Sequence, residues 1–265
     1  MRSMLQENCS LLCVRNARRG NTDSFFVANT IVDKDAVSPF DNVTFFPLYL
    51  YPSADELDAT ADRRPNLSPE FLKALAERLK LPQIGPHGLP QGVTPEDIFH
   101  YAYAVFHSPT YRSRYAEFLK IDFPRLPLTG NRDLFFRLAS LGGELVALHL
   151  MESPKLNDLI TEYPVKGTDV VEKVQYNDQD GRVWINPEQY FGGVRVAVWN
   201  FHIGGYQVCE KWLKDRKGRK LTYEDKRHYQ QIIVALNETI RLMAEIDALI
   251  GGHGNWPMAF SGDAI

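Results

Sequence analysis

The sequence predicts a mixed α+β fold, with N-terminal β-strands and a mid-chain hairpin packed on a helical, bundle-like part. Three observations predict it. The N-terminal part holds short runs rich in Val, Ile, Phe and Tyr, broken at Gly20-Asn21 and Ser38-Pro39. Three Ser/Thr-Pro pairs downstream mark helix starts. Two later stretches carry apolar residues at helical spacing.

Taken in chain order, residues 10–14, 24–32 and 42–51 read as strands, because β-branched and aromatic residues suit a pleated, half-buried surface. Residues 54–65 are polar and read as a loop. Ser68-Pro69, Thr94-Pro95 and Ser108-Pro109 then open helices: the hydroxyl accepts from a free backbone N–H, and Pro sits where no N–H bond is lost. Glu96 and Asp97 in the first turn of the second of these suit the helix dipole. Residues 82–92 hold three prolines and three glycines and read as a linker.

Asn131 reads as the cap of a long helix striped by Leu134, Leu138, Leu141, Leu145 and Leu148. Gly142-Gly143 in its middle lowers helix propensity by about 1 kcal/mol per residue, an expense that close approach of another backbone would explain. A hairpin follows, with arms at 170–176 and 182–185 around a turn at 177–181. An aromatic stretch covers 190–212. The last helix opens on Thr222 with Asp225 three residues on, is striped by Tyr229, Ile233, Leu236 and Ile246, and ends at Gly251-Gly252. By composition the chain divides into a β-rich part (1–65), a helix and linker (66–92), an α+β part (93–252) and a loose tail (253–265), all of which fit one composite domain.

Composition narrows the function classes. With 44% hydrophobic and 24% charged residues, the chain has enough apolar material for a core and is not disordered overall. The net charge of -3 argues against a free-standing nucleic-acid binder but leaves room for a local basic face. Three cysteines at positions 9, 13 and 209 form neither a disulfide framework nor a four-ligand zinc spacing, so reduced thiols in a cytoplasmic protein are expected. No apolar run reaches membrane-spanning length, and the N-terminus is too polar for a signal peptide.

Catalytic signatures do not appear. The phosphate-binding Gly-rich loops, His-Glu-x-x-His and Gly-x-Ser-x-Gly are missing. Asn186-Pro187-Glu188 shares two letters with the Asn-Pro-Pro-aromatic motif of amino-methyltransferases, but turn chemistry explains it better. His100 and His107 would share a helix face only on an unbroken helix, so satisfied histidines are the expectation and no metal site is assigned. No catalytic residue is assigned either.

What remains is basic and aromatic chemistry. Residues 98–128, IFHYAYAVFHSPTYRSRYAEFLKIDFPRLPL, read as a helix, a Pro-marked break, a second helix and a Pro-punctuated exit. On the second helix Tyr111 and Arg114, and Arg112 and Tyr115, are spaced to share faces, with Phe118 and Leu119 expected on the buried side and Lys120 and Arg125 in the exit. Arg and Tyr are common phosphate-contacting donors. Arg15, Arg18 and Arg19 form a second cluster beside Gly20-Asn21. A third lies in 211–220, with Lys211, Lys214, Arg216, Lys217, Arg219 and Lys220. The Arg15 cluster reads equally as an exposed hairpin tip, while for the other two a solvated face or loop is the commoner reading; both readings stand at this point.

The 98–128 run, FFRLASLGGELVALHLME at 135–152 and VWNFHIGGYQVCEKWLKDRKGRKLTYEDKRHYQQIIVALNETIRLMAEID at 198–247 together resemble the C-terminal specificity region of Type ISP restriction–modification enzymes and related single-chain adenine methyltransferases. The likeness spans about residues 10–250. It implies a target-recognition module that binds duplex DNA without catalysis of its own, partnered by a methyltransferase domain or subunit. S-adenosylmethionine and ATP would belong to domains this sequence lacks, and the chain is expected to need no cofactor itself. It would be a piece of a longer protein or a stand-alone remnant. On this reading the DNA-contacting candidates are Arg15, Arg18, Arg19, Tyr111, Arg112, Arg114, Lys120 and Arg125. Two rivals stay open: a protein-docking module of the same system, and a small enzyme with a cleft in the 190–212 stretch.

Overall fold

The structure, a computed structural model, describes residues 2–15, 25–32, 43–52, 63–203 and 205–261. Its contacts divide the chain into two compact units, Met1–Val146 with Leu242–Ile265, and Ala147–Arg241. The α+β expectation holds: small antiparallel sheets accompany several helices. The Pro/Gly-rich 82–92 stretch lies inside the first unit, where Gly85 N–H donates to the Leu89 carbonyl, Gln91 N–H to that of Pro82, and Leu89 is buried.

In the first unit, β1 (Ser10–Val14) is the centre of a three-stranded sheet between β2 (Phe25–Ala28) and β3 (Val43–Pro47). Both neighbours are antiparallel, with Leu12 opposite Phe26 on one side and Phe45 on the other. Leu12, Val14, Ala28 and Val43 are buried together. A short pair follows, β4 (Tyr49–Leu50) with β5 (Arg64–Pro65), so the end of the expected polar loop is paired strand.

The Ser/Thr-Pro pairs act as expected. Ser68 Oγ accepts from Phe71 N at the start of α1 (Pro69–Leu79). Thr94 and Asp97 exchange bonds at the start of α2 (Pro95–His107), a reciprocal pairing that satisfies two otherwise free N–H groups. Ser108 ends α2 and opens α3 (Pro109–Arg114), accepting from Tyr111 N at 3.0 Å. A one-turn α4 (Ala116–Leu119) follows. Then α5 (Arg132–His149) starts on Asn131, whose Oδ1 accepts from Leu134 N at 3.0 Å. All five leucines of its stripe are buried.

Gly142 answers for its place in α5. A Cβ there would stand 1.8 Å from the His100 carbonyl oxygen of α2, whereas one on Gly143 would meet only the His100 ring at 3.1 Å. Two helix backbones thus touch where a side chain cannot fit.

The second unit is built on β6 (Gln175–Asn177), β7 (Arg182–Trp184) and β8 (Tyr190–Phe191), an antiparallel sheet that contains the expected hairpin. Its first arm is shorter than expected, and Val170 instead forms an isolated bridge to Lys220. Beyond it come α6 (Val196–Trp199), the pair β9 (His202–Ile203) and β10 (Tyr206–Gln207), and α7 (Val208–Lys214). The long α8 (Tyr223–Gly252) opens on the Thr222–Asp225 exchange, with bonds of 3.0 Å in each direction. Phe191, Trp199, Cys209, Leu213, Tyr229 and Ile233 fill this unit's core. Of the aromatic stretch, Phe191 and Trp199 are core, and Phe201 and Trp212 pack partly buried against it.

Asn186-Pro187 is a turn, as turn chemistry predicts. Asn186 Oδ1 accepts from the backbone of Glu188 and Gln189, and its amide donates to the Val170 carbonyl. Gln189 in turn donates to Asp169, which also accepts from Tyr163 and Lys226. Burial raises the Asp169 pKa, but the bonds from Lys226, Gln189 and Tyr163 outweigh it and hold the carboxyl below its ordinary range.

The C-terminal residues 253–261 also depart from expectation. They are packed rather than loose: Ala259 and Phe260 are buried, the Trp256 and Phe260 rings stack at 4.3 Å, and Thr129 donates to the Ala259 carbonyl.

Two outcomes follow from this packing. Gly142→Ala should lower stability by about 1–3 kcal/mol in urea unfolding, although Ala favours a helix by about 1 kcal/mol over Gly. Gly143→Ala should cost less, and a more stable Gly142→Ala would contradict the close approach. Lys226→Met should cost about 1–3 kcal/mol near neutral pH, because it strips a charged partner from Asp169. A carboxylate with a lowered folded pKa stabilises above its unfolded value of about 3.9 and loses that effect as pH falls through the folded value. Unfolding midpoints of parent and variant should therefore stay apart above about pH 5 and converge in acid.

Candidate nucleic-acid interface

The interface candidate grows from the 108–128 segment of the first unit. Residues 121–128 form no regular helix or strand, so their carbonyls need partners from elsewhere. Two buried tyrosines supply them. Tyr101 of α2 donates to the Pro127 carbonyl at 2.7 Å, and Tyr111 of α3 donates to the Arg125 carbonyl at 2.8 Å. Burial pushes both hydroxyls well above the ordinary tyrosine pKa, so they remain protonated donors.

The start of α3 is anchored across the chain. Asp247 of α8 accepts from the Ser108 hydroxyl, and from the backbone N–H and hydroxyl of Thr110 at 3.0 and 2.7 Å. A carboxylate there satisfies free N–H groups and sits at the positive end of the helix.

The candidate residues separate into distinct groups. Tyr111 is buried, and its hydroxyl donates to the Arg125 carbonyl. Arg112 is half-buried: its Nε donates to the Phe106 carbonyl at 2.7 Å, in the last turn of α2, and its guanidinium lies 5.6 Å from the Phe25 ring centre. Arg15 is exposed at the end of β1 and pairs with Asp122 at 3.2 Å, beside the Phe123 ring. Lys120 pairs with Glu117 at 2.6 Å. Arg114 and Arg125 are exposed and take no ion-pair partner among the described residues. Arg18, Arg19 and the Gly20-Asn21 turn lie outside the described residues.

The structure thus brings Arg15 to the 108–128 segment, where it meets Asp122, 107 residues away in sequence. The Asp122 pKa is lowered, first by the Phe123 N–H bond and then by Arg15, with Arg125 contributing, so the carboxylate stays charged beside these arginines. Asp122 escaped the sequence reading. The signal was faint: an acid two residues before a Pro in a basic exit.

Phe118 departs from its expected place. It is 61% exposed while Leu119 is buried. The cause is Tyr115, at φ -104 and ψ 15, which interrupts the helix and resets the faces of α4 relative to α3. Phe118, Ile121, Tyr115 and Arg125 line an open cleft of about 390 Å³.

The 211–220 cluster belongs to the second unit. Lys211 pairs with Asp215 and Lys214 with Glu210, while Arg216 lies 3.5 Å over the Trp212 ring. Lys217, Arg219 and Lys220 are exposed.

Among the described residues, no group of His, Cys, Asp and Glu is arranged to hold a metal ion. Burial pushes the Cys13 and Cys209 thiols up to about 12, which keeps them protonated and poorly nucleophilic. Burial lowers the His100 pKa, and His107 Nδ1 lies 2.8 Å from the Tyr103 carbonyl. No helix among the described residues is long and apolar enough to cross a membrane.

Comparison with known proteins gives the following. Residues 1–245 match the model of the Type ISP C-terminal specificity domain. Among solved structures, the chain is similar to the ATP-dependent Type ISP restriction-modification enzyme LlaBIII bound to DNA, with TM-score 0.66 and 17% identity over 92% of this chain and 16% of that one. It is also similar to a nuclease-deletion mutant of the Type ISP restriction-modification enzyme LlaGI in complex with a DNA substrate mimic, with TM-score 0.60, 18% identity, and 90% and 21% of the two chains covered. A third likeness is to the DrdV–DNA complex, with TM-score 0.62, 21% identity, and 98% and 25% covered. The chain spans a quarter or less of the length of each of these proteins. No curated protein matches it.

Proposed function

Because the chain belongs to the Type ISP C-terminal specificity domain family, we propose that it is a DNA target-recognition module that binds duplex DNA and performs no catalysis itself. The family match over residues 1–245 carries this reading. The solved relatives are DNA complexes, which supports duplex DNA as the ligand. Arg15, Arg114 and Arg125 support it chemically, since exposed guanidiniums can bond phosphate oxygens in two-pronged fashion. Lys120 adds a weaker point charge already shared with Glu117.

In this reading the parent protein is an adenine-N6 DNA methyltransferase with restriction activity, working in the cytoplasm. A methyltransferase domain or subunit is the protein partner, and S-adenosylmethionine and ATP bind there rather than to this chain. The net charge of -3 fits a part that shares its DNA with a more basic neighbour.

Salt-titrated binding to a short duplex of mixed sequence tests the reading. Arg114→Ala and Arg125→Ala should each weaken binding and reduce the salt slope by about one. Arg15→Ala should weaken it further, because it leaves the Asp122 carboxylate facing phosphate unopposed. Asp122→Asn should strengthen binding and steepen the slope. Lys73→Ala, an exposed charge on α1, is the control. Slopes identical in all five variants would contradict the assignment.

A further inference from the structure

We propose that Phe118 and Ile121 form an apolar tip that contacts the bases of duplex DNA, while Arg114 and Arg125 hold the phosphates beside it. This deepens the DNA-recognition reading and rests on it. Phe118 and Ile121 are 61% and 68% exposed, three residues apart at the end of α4 and the start of the exit. Each leaves an apolar surface in water at a cost that packing inward would have removed. The interruption at Tyr115 is what turns Phe118 outward, and it places Leu119 in the core instead. An exposed apolar patch with a polar rim marks a site of interaction.

Charge favours DNA as the occupant. Among the described residues, Glu117 and Asp122 at the patch each have a basic partner, Lys120 and Arg15. Arg114 and Arg125 keep their charge free of ion pairs among the described residues, and Arg125 lines the same cleft as Phe118 and Ile121. Apolar side chains recognise bases in two ways that share this chemistry: contact with the thymine methyl group in the major groove, or partial insertion at a flexible base step.

The experiment uses the full chain and a duplex pool with a randomised centre. Bound duplexes are sequenced for the parent, for the Phe118→Ser/Ile121→Ser double variant and for Phe118→Leu, and affinity is then measured on the sequence that the parent enriches. Both side chains are exposed, so thermal unfolding of the double variant should match the parent. The double variant should bind about tenfold or more weakly with an unchanged salt slope, and should lose base preference at one or two positions. Phe118→Leu should retain most of the affinity. Replacing thymidine by deoxyuridine at those positions should mimic the loss if the methyl group is read. An increase of 2-aminopurine fluorescence on binding, with uracil tolerated, identifies insertion instead. If the double variant binds and selects DNA as the parent does while Arg114→Ala and Arg125→Ala flatten the slope, the tip contacts something other than DNA, such as a protein domain. That result overturns this proposal and leaves the DNA-binding reading intact. If the arginine variants are silent as well, both fall.

Discussion

Two buried hydroxyls hold the candidate surface in place. Tyr101 and Tyr111 reach from α2 and α3 to the carbonyls of Pro127 and Arg125. A segment punctuated by prolines cannot satisfy its backbone through a helix or sheet ladder, so its shape depends on donors from its neighbours. A buried carbonyl left without a donor costs about 1–3 kcal/mol. The tyrosines remove that cost and set the backbone position of Arg125 and, through the short chain between, that of Asp122. Asp247 does the same at the other end by fixing the start of α3. The aromatic content of the 98–128 run is therefore mostly structural, and the groups left for a ligand are those that the tyrosines do not use.

Much of the scaffold could be read from local chemistry. Ser68, Thr94, Asn131 and Thr222 cap helices as their residue types and spacing predict, and Gly142 marks a backbone contact. These signals act over a few residues, or exclude a side chain outright, which is why a linear reading finds them. The contacts that local chemistry does not reveal share the opposite property. Arg15 meets Asp122 across 107 positions, Arg112 turns back to the end of the preceding helix, and residues 253–261 pack on the core through Phe260 and Thr129. None of these partners lies within reach of a helical or strand period. Phe118 failed for a subtler reason: helical spacing placed it inward beside Leu119, but the interruption at Tyr115 breaks the phase on which that spacing relies. The 82–92 stretch shows a further limit, since Pro and Gly predict a bend but not how well its backbone bonds are satisfied.

Overall acidity and a local basic strip coexist here without conflict. At physiological salt, exposed charges act over roughly 8 Å, so the sum over the chain matters less than what stands beside a phosphate. Among the described residues, the groups around Asp122 are its ionised carboxylate, Arg15 paired with it and Arg125 contributing. The pairing also gives Arg15 a defined position, where an unpaired arginine would sample many rotamers. An exposed pair of this kind adds little to stability, so its worth lies in orientation. In the second unit, by contrast, Lys211 and Lys214 are matched by acids at the end of their own helix and within it, an arrangement that serves solubility as well as it serves any ligand.

The proposed DNA contact is the strip from α3 to the Pro-punctuated exit. Backbone hydrogen exchange of the full chain, with and without a saturating mixed-sequence duplex, tests it most directly. The account predicts that added protection concentrates in peptides covering 112–126 and the end of β1, and that Asp122→Asn enhances it. Protection absent from those peptides, with DNA demonstrably bound, would contradict it.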